Sequence, residues 1–156
     1  HRTHMKIMAA VDRSRISDTV VDMTIRLARY TNAEVLLINV APREPDAFGR
    51  QVVRKVIGDP PPPDLRDRRE LLDRLTDLAR ESGVECTTLL VRGDPGPTLI
   101  NEARRAGATL VVMGSHGRGG LFKTLMGRVS ETVLADGRIP VLVVPARAVR
   151  EGTAAP

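Results

Sequence analysis

Aromatic residues are nearly missing from this chain of 156 residues: Tyr30, Phe48 and Phe122 make up 2%, and there is no tryptophan. A surface that reads nucleic acid bases concentrates basic residues on one face and adds aromatic stacking platforms. Here the bases, nearly all arginine, are dispersed among acids, and the net charge of +5 is the small difference between 24 basic and 19 acidic residues. Nucleic acid is therefore not an expected partner. Cysteine is scarce too, since Cys86 stands alone and cannot form an internal disulfide, in keeping with a reducing compartment. Its place at the start of an aliphatic run reads as a small buried hydrophobe rather than a reactive thiol. Long apolar runs are also lacking. None approaches the roughly 18 residues of a membrane span, and no basic segment leads into an apolar stretch near the start. The expectation is a protein of the cytoplasm with no membrane partner.

What is present is aliphatic. With 42% hydrophobic residues and almost no aromatics, Val, Leu, Ile and Ala must build the core. That suits a parallel sheet buried on both faces. The length is that of one domain. His1 to His4 read as an expression-vector remnant. Residues 5–146 read as the domain, and 147–156 as a polar, frayed tail.

Along the chain, Lys6 to Val11 reads as a short buried strand ending at Asp12. Ser14 and Ser17 are candidate N-cap hydroxyls for a helix with Ile16, Val20, Met23, Leu27 and Ala28 at helical spacing. Glu34 to Val40 is a second strand. The segment from Ala41 to Pro63 holds six prolines and weak periodicity, and reads as a long mobile excursion rather than packed structure. Asp64 to Ser82 is an amphipathic helix with a stripe of Leu65, Leu72, Leu75 and Ala79. The pairs Asp64/Arg68 and Glu70/Arg74 support it at i, i+4 spacing, and Gly83 is its C-cap. Val84 to Val91 is a third strand. A helix opened by Asp94-Pro95 stops at Gly107, and Thr109 to Met113 is a fourth strand. A last helix from about Arg128 to Asp136 precedes a fifth strand, Pro140 to Val144.

Strands alternating with helices predict right-handed crossovers and a single doubly wound five-stranded parallel α/β sheet with helices on both faces. In the order 3-2-1-4-5, a ligand crevice opens beyond the carboxyl ends of strands one and four. Those ends are Asp12 and Gly114.

The segment Gly114-Ser-His-Gly117-Arg-Gly-Gly120 holds four glycines in seven residues, between a buried strand and a later helix. Glycine lets main-chain amides approach an anion closely, and Gly127 stands just before a helix whose N-terminus favours phosphate. A tight turn with a helix cap is the alternative, though one turn needs only one or two glycines. There is no Gly-x-x-x-x-Gly-Lys-Ser/Thr. The glycine-rich loop follows the fourth strand rather than the first, unlike a dinucleotide-binding fingerprint.

These residues resemble the universal stress protein family. Its signature, Gly, two residues, Gly, nine residues, Gly, then Ser or Thr, follows the fourth strand, and Gly114, Gly117 and Gly127 match the spacing. The resemblance runs from Met5 to about Pro145. It includes Val11-Asp12-Arg-Ser14, Gly93-Asp-Pro95 and Pro140-Val-Leu-Val-Val144. It implies a Rossmann-like fold of the adenine nucleotide alpha hydrolase type that binds ATP, with Mg2+. Adenine would sit near Asp12 and the main chain of Val40, and ribose near Asp12 and Gly114. Phosphates would lie over Gly117, Gly127, Arg128 and Val129, with Met113 lining the pocket. It also implies a homodimer paired through Val141, Leu142, Val143 and Val144, which would cover an aliphatic sheet edge.

Arg128 departs from the pattern. A guanidinium can bind phosphate bidentately, fill the pocket or turn outward, and members lacking parts of the motif tend not to bind ATP. Ser130 is a candidate substitute hydroxyl, and Arg118 and Lys123 are candidate phosphate neutralisers. His116 has no ligand partners at metal spacing, and Ser115 has no paired base. No general base, metal ligands and arginine finger come together for fast phosphoryl transfer. The leading reading is an ATP-binding switch or sensor with at most slow hydrolysis. The alternative is a dimer of the same type with an empty or blocked crevice that works through protein partners. A nucleotidyl transferase would carry a His-x-Gly-His or Ser-Gly-Gly-x-Asp-Ser signature, and neither occurs.

Overall fold

The computed structural model describes residues 4–45, 51–52, 54–55, 61–115, 129 and 131–145. Five parallel strands form the body of its six-stranded sheet: β1 (Lys6–Ala10), β2 (Glu34–Ala41), β6 (Cys86–Arg92), β7 (Leu110–Gly114) and β8 (Val141–Val144). Their order, β6-β2-β1-β7-β8, is the expected 3-2-1-4-5 arrangement. The aliphatic runs of β1, β2 and β7 are buried on both faces, as parallel strands between helix layers must be. Ile7, Ala9, Val35, Leu37, Leu90 and Val112 face one core cluster, and Met8, Ile38, Val111 and Met113 face the other.

The helices α1 (Ile16–Thr31) and α2 (Arg66–Glu81) cover the first cluster. α3 (Pro95–Ala106) and the helical residues 131–136 cover the second. The predicted stripe holds, with Leu65 in the turn before α2 and Leu72, Leu75 and Ala79 within it no more than 1% exposed. Gly83 and Gly107 end α2 and α3 at φ of 81° and 69°, a conformation that costs glycine little. Among the described residues no helix is long and apolar enough to cross a membrane.

Three local expectations are corrected. The buried arc of α1 is centred on Ser17, Val21, Thr24 and Ala28, while Met23, placed on the apolar stripe from sequence, lies at its margin, 36% exposed. Thr24 enters the core because its hydroxyl donates to the Val20 carbonyl at 2.7 Å. In α2, Arg68 and Arg74 hydrogen-bond across to Asn39 and Asp18 instead of to the i, i+4 neighbours; for Arg68 the partner is a buried amide that needs a donor.

The third correction concerns the proline-rich segment, which does carry packed pieces. β3 (Glu44–Pro45) and β4 (Gln51–Val52) form an antiparallel ribbon, and β5 (Arg54–Lys55) adds an antiparallel edge to β6, with Arg54 opposite Arg92 and Lys55 opposite Val91. The chain returning from β2 to α2 passes the open edge of β6, whose unpaired main-chain groups gain from a partner.

Candidate functional site

The carboxyl ends of β1, β2 and β7 lie side by side. β1 pairs with β2 through Ala10 opposite Ile38 and with β7 through Ala9 opposite Val112. Continued past these pairs, the registers bring Asp12 beside Val40 and Val11 beside Gly114, with neighbouring strands about 4.8 Å apart. These three positions, Asp12, Val40 and Gly114, thus fall at the ends of neighbouring strands.

Asp12 organises the turn from β1 into α1. Its Oδ1 accepts from the Ser14 amide at 2.8 Å, from the Ser14 hydroxyl, and from the Ser17 hydroxyl at 3.0 Å. The Asp12 amide donates in turn to Ser17 Oγ at 2.8 Å. The two serines were expected to cap the helix; α1 instead starts after Arg15 with no side-chain cap, because Ser14 lies before that position and Ser17 inside the first turn, and both hydroxyls donate to Asp12. Every hydrogen bond to the Asp12 carboxylate among the described residues ends on Oδ1. Oδ2 remains an acceptor for a hydroxyl donor.

Main-chain geometry adds a second polar element. The Val11 amide donates to the Ile38 carbonyl at 3.0 Å, so Ile38 faces β1. Alternate residues of a parallel strand face the same neighbour, so Val40 turns its amide and carbonyl to that side too, beyond the last residue of β1.

Gly114 is buried for a packing reason. A Cβ there would stand 2.9 Å from both Cδ1 and Cγ2 of Ile16, so its bare backbone lets the start of α1 settle against the end of β7. Met113 is fully buried and Val129 is 7% exposed. Both pack in the second core cluster. Gly117, Arg118, Gly127, Arg128 and Ser130 lie outside the described residues, as do His116, Phe122 and Lys123.

A charged network that sequence reasoning did not single out occupies the same edge on the α1/α2 face. Asn39 is 2% exposed in an aliphatic strand. Its Nδ2 donates to the Val11 carbonyl at 2.8 Å, and its Oδ1 accepts from Arg68 at 2.9 Å. Arg92, also buried, donates to Asp64 at 2.7 Å, and Arg13 donates to Asp67 at 3.1 Å. Burial pushes the Arg68 guanidinium below its ordinary range, as do the charges of Arg13 and Arg92, while Asp12 and Asp64 oppose them. The signal available in sequence was polar interruption: an asparagine within Leu36-Leu-Ile-Asn-Val40, and an arginine closing Leu89-Leu-Val-Arg92.

The hydrogen bond from Arg92 holds the Asp64 carboxyl below its ordinary range, against a smaller opposing effect of desolvation. A carboxyl depressed on folding adds stability above its unfolded value of about 3.9 and loses it as pH falls through the lower folded value. Asp64→Asn is expected to lower the urea midpoint at pH 7 and to narrow the gap from wild type as the pH is taken below 4. A gap that stays constant with pH would contradict the pairing. Burial also pushes the Cys86 thiol up, against the opposing charge of Arg80, consistent with a structural cysteine.

A doubly wound parallel sheet with polar groups gathered at its carboxyl edge defines a Rossmann-like α/β protein. The chain belongs to the Universal stress protein family, whose sequence pattern matches residues 3–145. It is 28% identical over 153 residues to universal stress protein YxiE of Bacillus subtilis, covering 89% of this chain and 97% of that protein. It is 30% identical over 146 residues to universal stress protein MJ0531 of Methanocaldococcus jannaschii, covering 90% and 82%. A solved structure of a family protein from Burkholderia pseudomallei matches with a TM-score of 0.67 at 25% identity, covering 94% and 99%. A universal stress protein in complex with cAMP matches with a TM-score of 0.67 at 21% identity, covering 91% and 97%. One from Arabidopsis thaliana with AMP bound matches with a TM-score of 0.60 at 23% identity, covering 90% and 91%.

Proposed function

We propose that the protein binds ATP, with Mg2+ carried on its phosphates, at the carboxyl ends of β1, β2 and β7 and acts in the cytoplasm as a stress-response switch or sensor. The observation that carries this reading is Asp12, held by three hydrogen bonds on Oδ1 and, among the described residues, by none on Oδ2. An acceptor-only oxygen suits a ribose hydroxyl. The main-chain amide and carbonyl of Val40, turned past the end of β1, suit the edge of adenine. Family proteins of the same fold hold AMP and cAMP, which supports an adenine nucleotide as the ligand class. The glycines Gly114, Gly117 and Gly127 supply the phosphate-binding spacing, with Arg118, Arg128, Val129 and Ser130 beside them in sequence. The proposal includes a homodimer joined through β8, whose Val141, Leu142 and Val143 are partly exposed at the sheet edge.

The test is to denature the purified protein, assay the supernatant for adenine nucleotide, and titrate nucleotide-free protein with Mg-ATP beside Arg128→Ser. Binding by the wild type supports the reading. Binding by Arg128→Ser alone would replace it with a crevice blocked by Arg128 and a function carried by protein partners.

A further inference from the structure

We propose that Asn39 and Arg68 are positioning residues, holding the peptide between Val11 and Asp12 so that the Asp12 carboxylate is presented to the ligand. This rests on the nucleotide reading above for its consequence, though not for its geometry.

That peptide is gripped at both ends. Its carbonyl accepts from Asn39 Nδ2 at 2.8 Å, and its amide donates to Ser17 Oγ at 2.8 Å. Because a peptide unit is planar, fixing its carbonyl and its amide fixes the plane from which the Asp12 side chain departs. The two grips come from different elements, Asn39 from β2 and Ser17 from α1, and Arg68 ties the first of them to α2 at 2.9 Å. The position of the carboxylate therefore depends on three elements meeting at one peptide.

Chemistry supports this role over simple packing. A buried amide in an aliphatic strand is costly unless both its halves are paired, and Asn39 pairs both, its donor on Val11 and its acceptor on Arg68. The donor is the half that matters: an apolar residue would leave the Val11 carbonyl without it, and a carboxylate would repel that carbonyl. Arg68 anchors the acceptor half and stands in the electrostatic field of Arg13, Asp12, Arg92 and Asp64. The pair neither needs nor implies contact with the ligand.

The Ser14 amide proton, bonded to Asp12 Oδ1 at 2.8 Å, reports on the carboxylate in the free protein. The experiment records the amide NMR spectrum, the thermal midpoint and the affinity for AMP in wild type, Asn39→Asp, Arg68→Met and Arg68→Lys. Asn39→Asp keeps an acceptor for Arg68 but loses the donor to Val11. It is expected to shift the Ser14 amide proton upfield and weaken AMP binding about tenfold, the effect of one displaced charge-assisted hydrogen bond. Arg68→Met is expected to move both readouts the same way. Arg68→Lys, which retains a donor and a positive charge, is expected to bring them back toward wild type. Folded Asn39→Asp and Arg68→Met proteins with an unmoved Ser14 signal would overturn the proposal, even if their thermal midpoints fall. If wild type binds neither AMP nor Mg-ATP, the nucleotide reading fails while the Ser14 signal still decides whether the pair positions Asp12.

Discussion

Gly114→Ala is expected to destabilise the protein by about 1–3 kcal/mol, the usual range for an overpacked core. The added methyl would meet Ile16 Cδ1 and Cγ2 at 2.9 Å. Ile16 is 6% exposed in the first turn of α1, and a β-branched side chain in a helix has one strongly preferred χ1. Rotation cannot clear Cγ2 without strain, so the start of α1 must move away from β7. Ile16→Ala alone should cost about 2–5 kcal/mol through the cavity it leaves. In the double variant the new methyl of residue 114 occupies part of that cavity. The costs should therefore fall short of additive by more than about 0.5 kcal/mol, measured as urea unfolding free energies. Strict additivity would mean that Gly114 serves something other than the approach of α1.

Asp12 carries the other large effect, and two substitutions separate its roles. Asp12→Ala removes the acceptor for the Ser14 amide and for both hydroxyls, at an expected cost of about 1–3 kcal/mol of stability, along with nucleotide affinity. Asp12→Asn keeps an acceptor on the Ser14 side but puts an N–H donor where Oδ2 stood. Its unfolding midpoint should stay near wild type while AMP affinity falls at least about tenfold, because a ribose hydroxyl then meets a donor instead of an acceptor. Equal binding by Asp12→Asn and wild type would assign the carboxylate to the turn alone.

The fold was legible because each aliphatic strand is closed by a glycine, proline or aspartate, and because one parallel solution buries such runs on both faces. The α2 stripe was readable for the same reason: Leu65, Leu72, Leu75 and Ala79 sit at helical spacing between charges. The stripe of α1 was misplaced by Met23, since β-branched Val21 and Ile25 and a self-satisfied Thr24 make a better buried face than the margin methionine. The end of that helix carried no glycine signal either: Asn32 adopts the left-handed conformation at φ 55°, as a short polar side chain can.

The site was legible only where the chain itself concentrates the signal. Asp12 and Gly114 are adjacent to strand ends in sequence, so their meeting follows from strand order alone. The grip on the Val11 carbonyl depends on Asn39, at 28 residues' separation, and the hold on Asn39 depends on Arg68, 29 residues further. Such links follow from register and helix placement, which no local pattern encodes. Ser14 and Ser17 were read only as N-cap hydroxyls for α1. Their hydroxyls donate instead to Asp12, two and five residues away. Gly114 was read through its conformational freedom, whereas its role among the described residues is the space it leaves for Ile16.

The central claim is that an adenine nucleotide sits on the carboxyl ends of β1, β2 and β7. An amide NMR titration of the 15N-labelled protein with Mg-ATP tests it most directly. The account predicts saturable shifts concentrated at Asp12, Ser14, Val40 and Gly114, with a midpoint at least about tenfold higher in the Asp12→Asn variant. Saturable shifts that spare these four residues, or an unchanged spectrum at millimolar nucleotide, would contradict it.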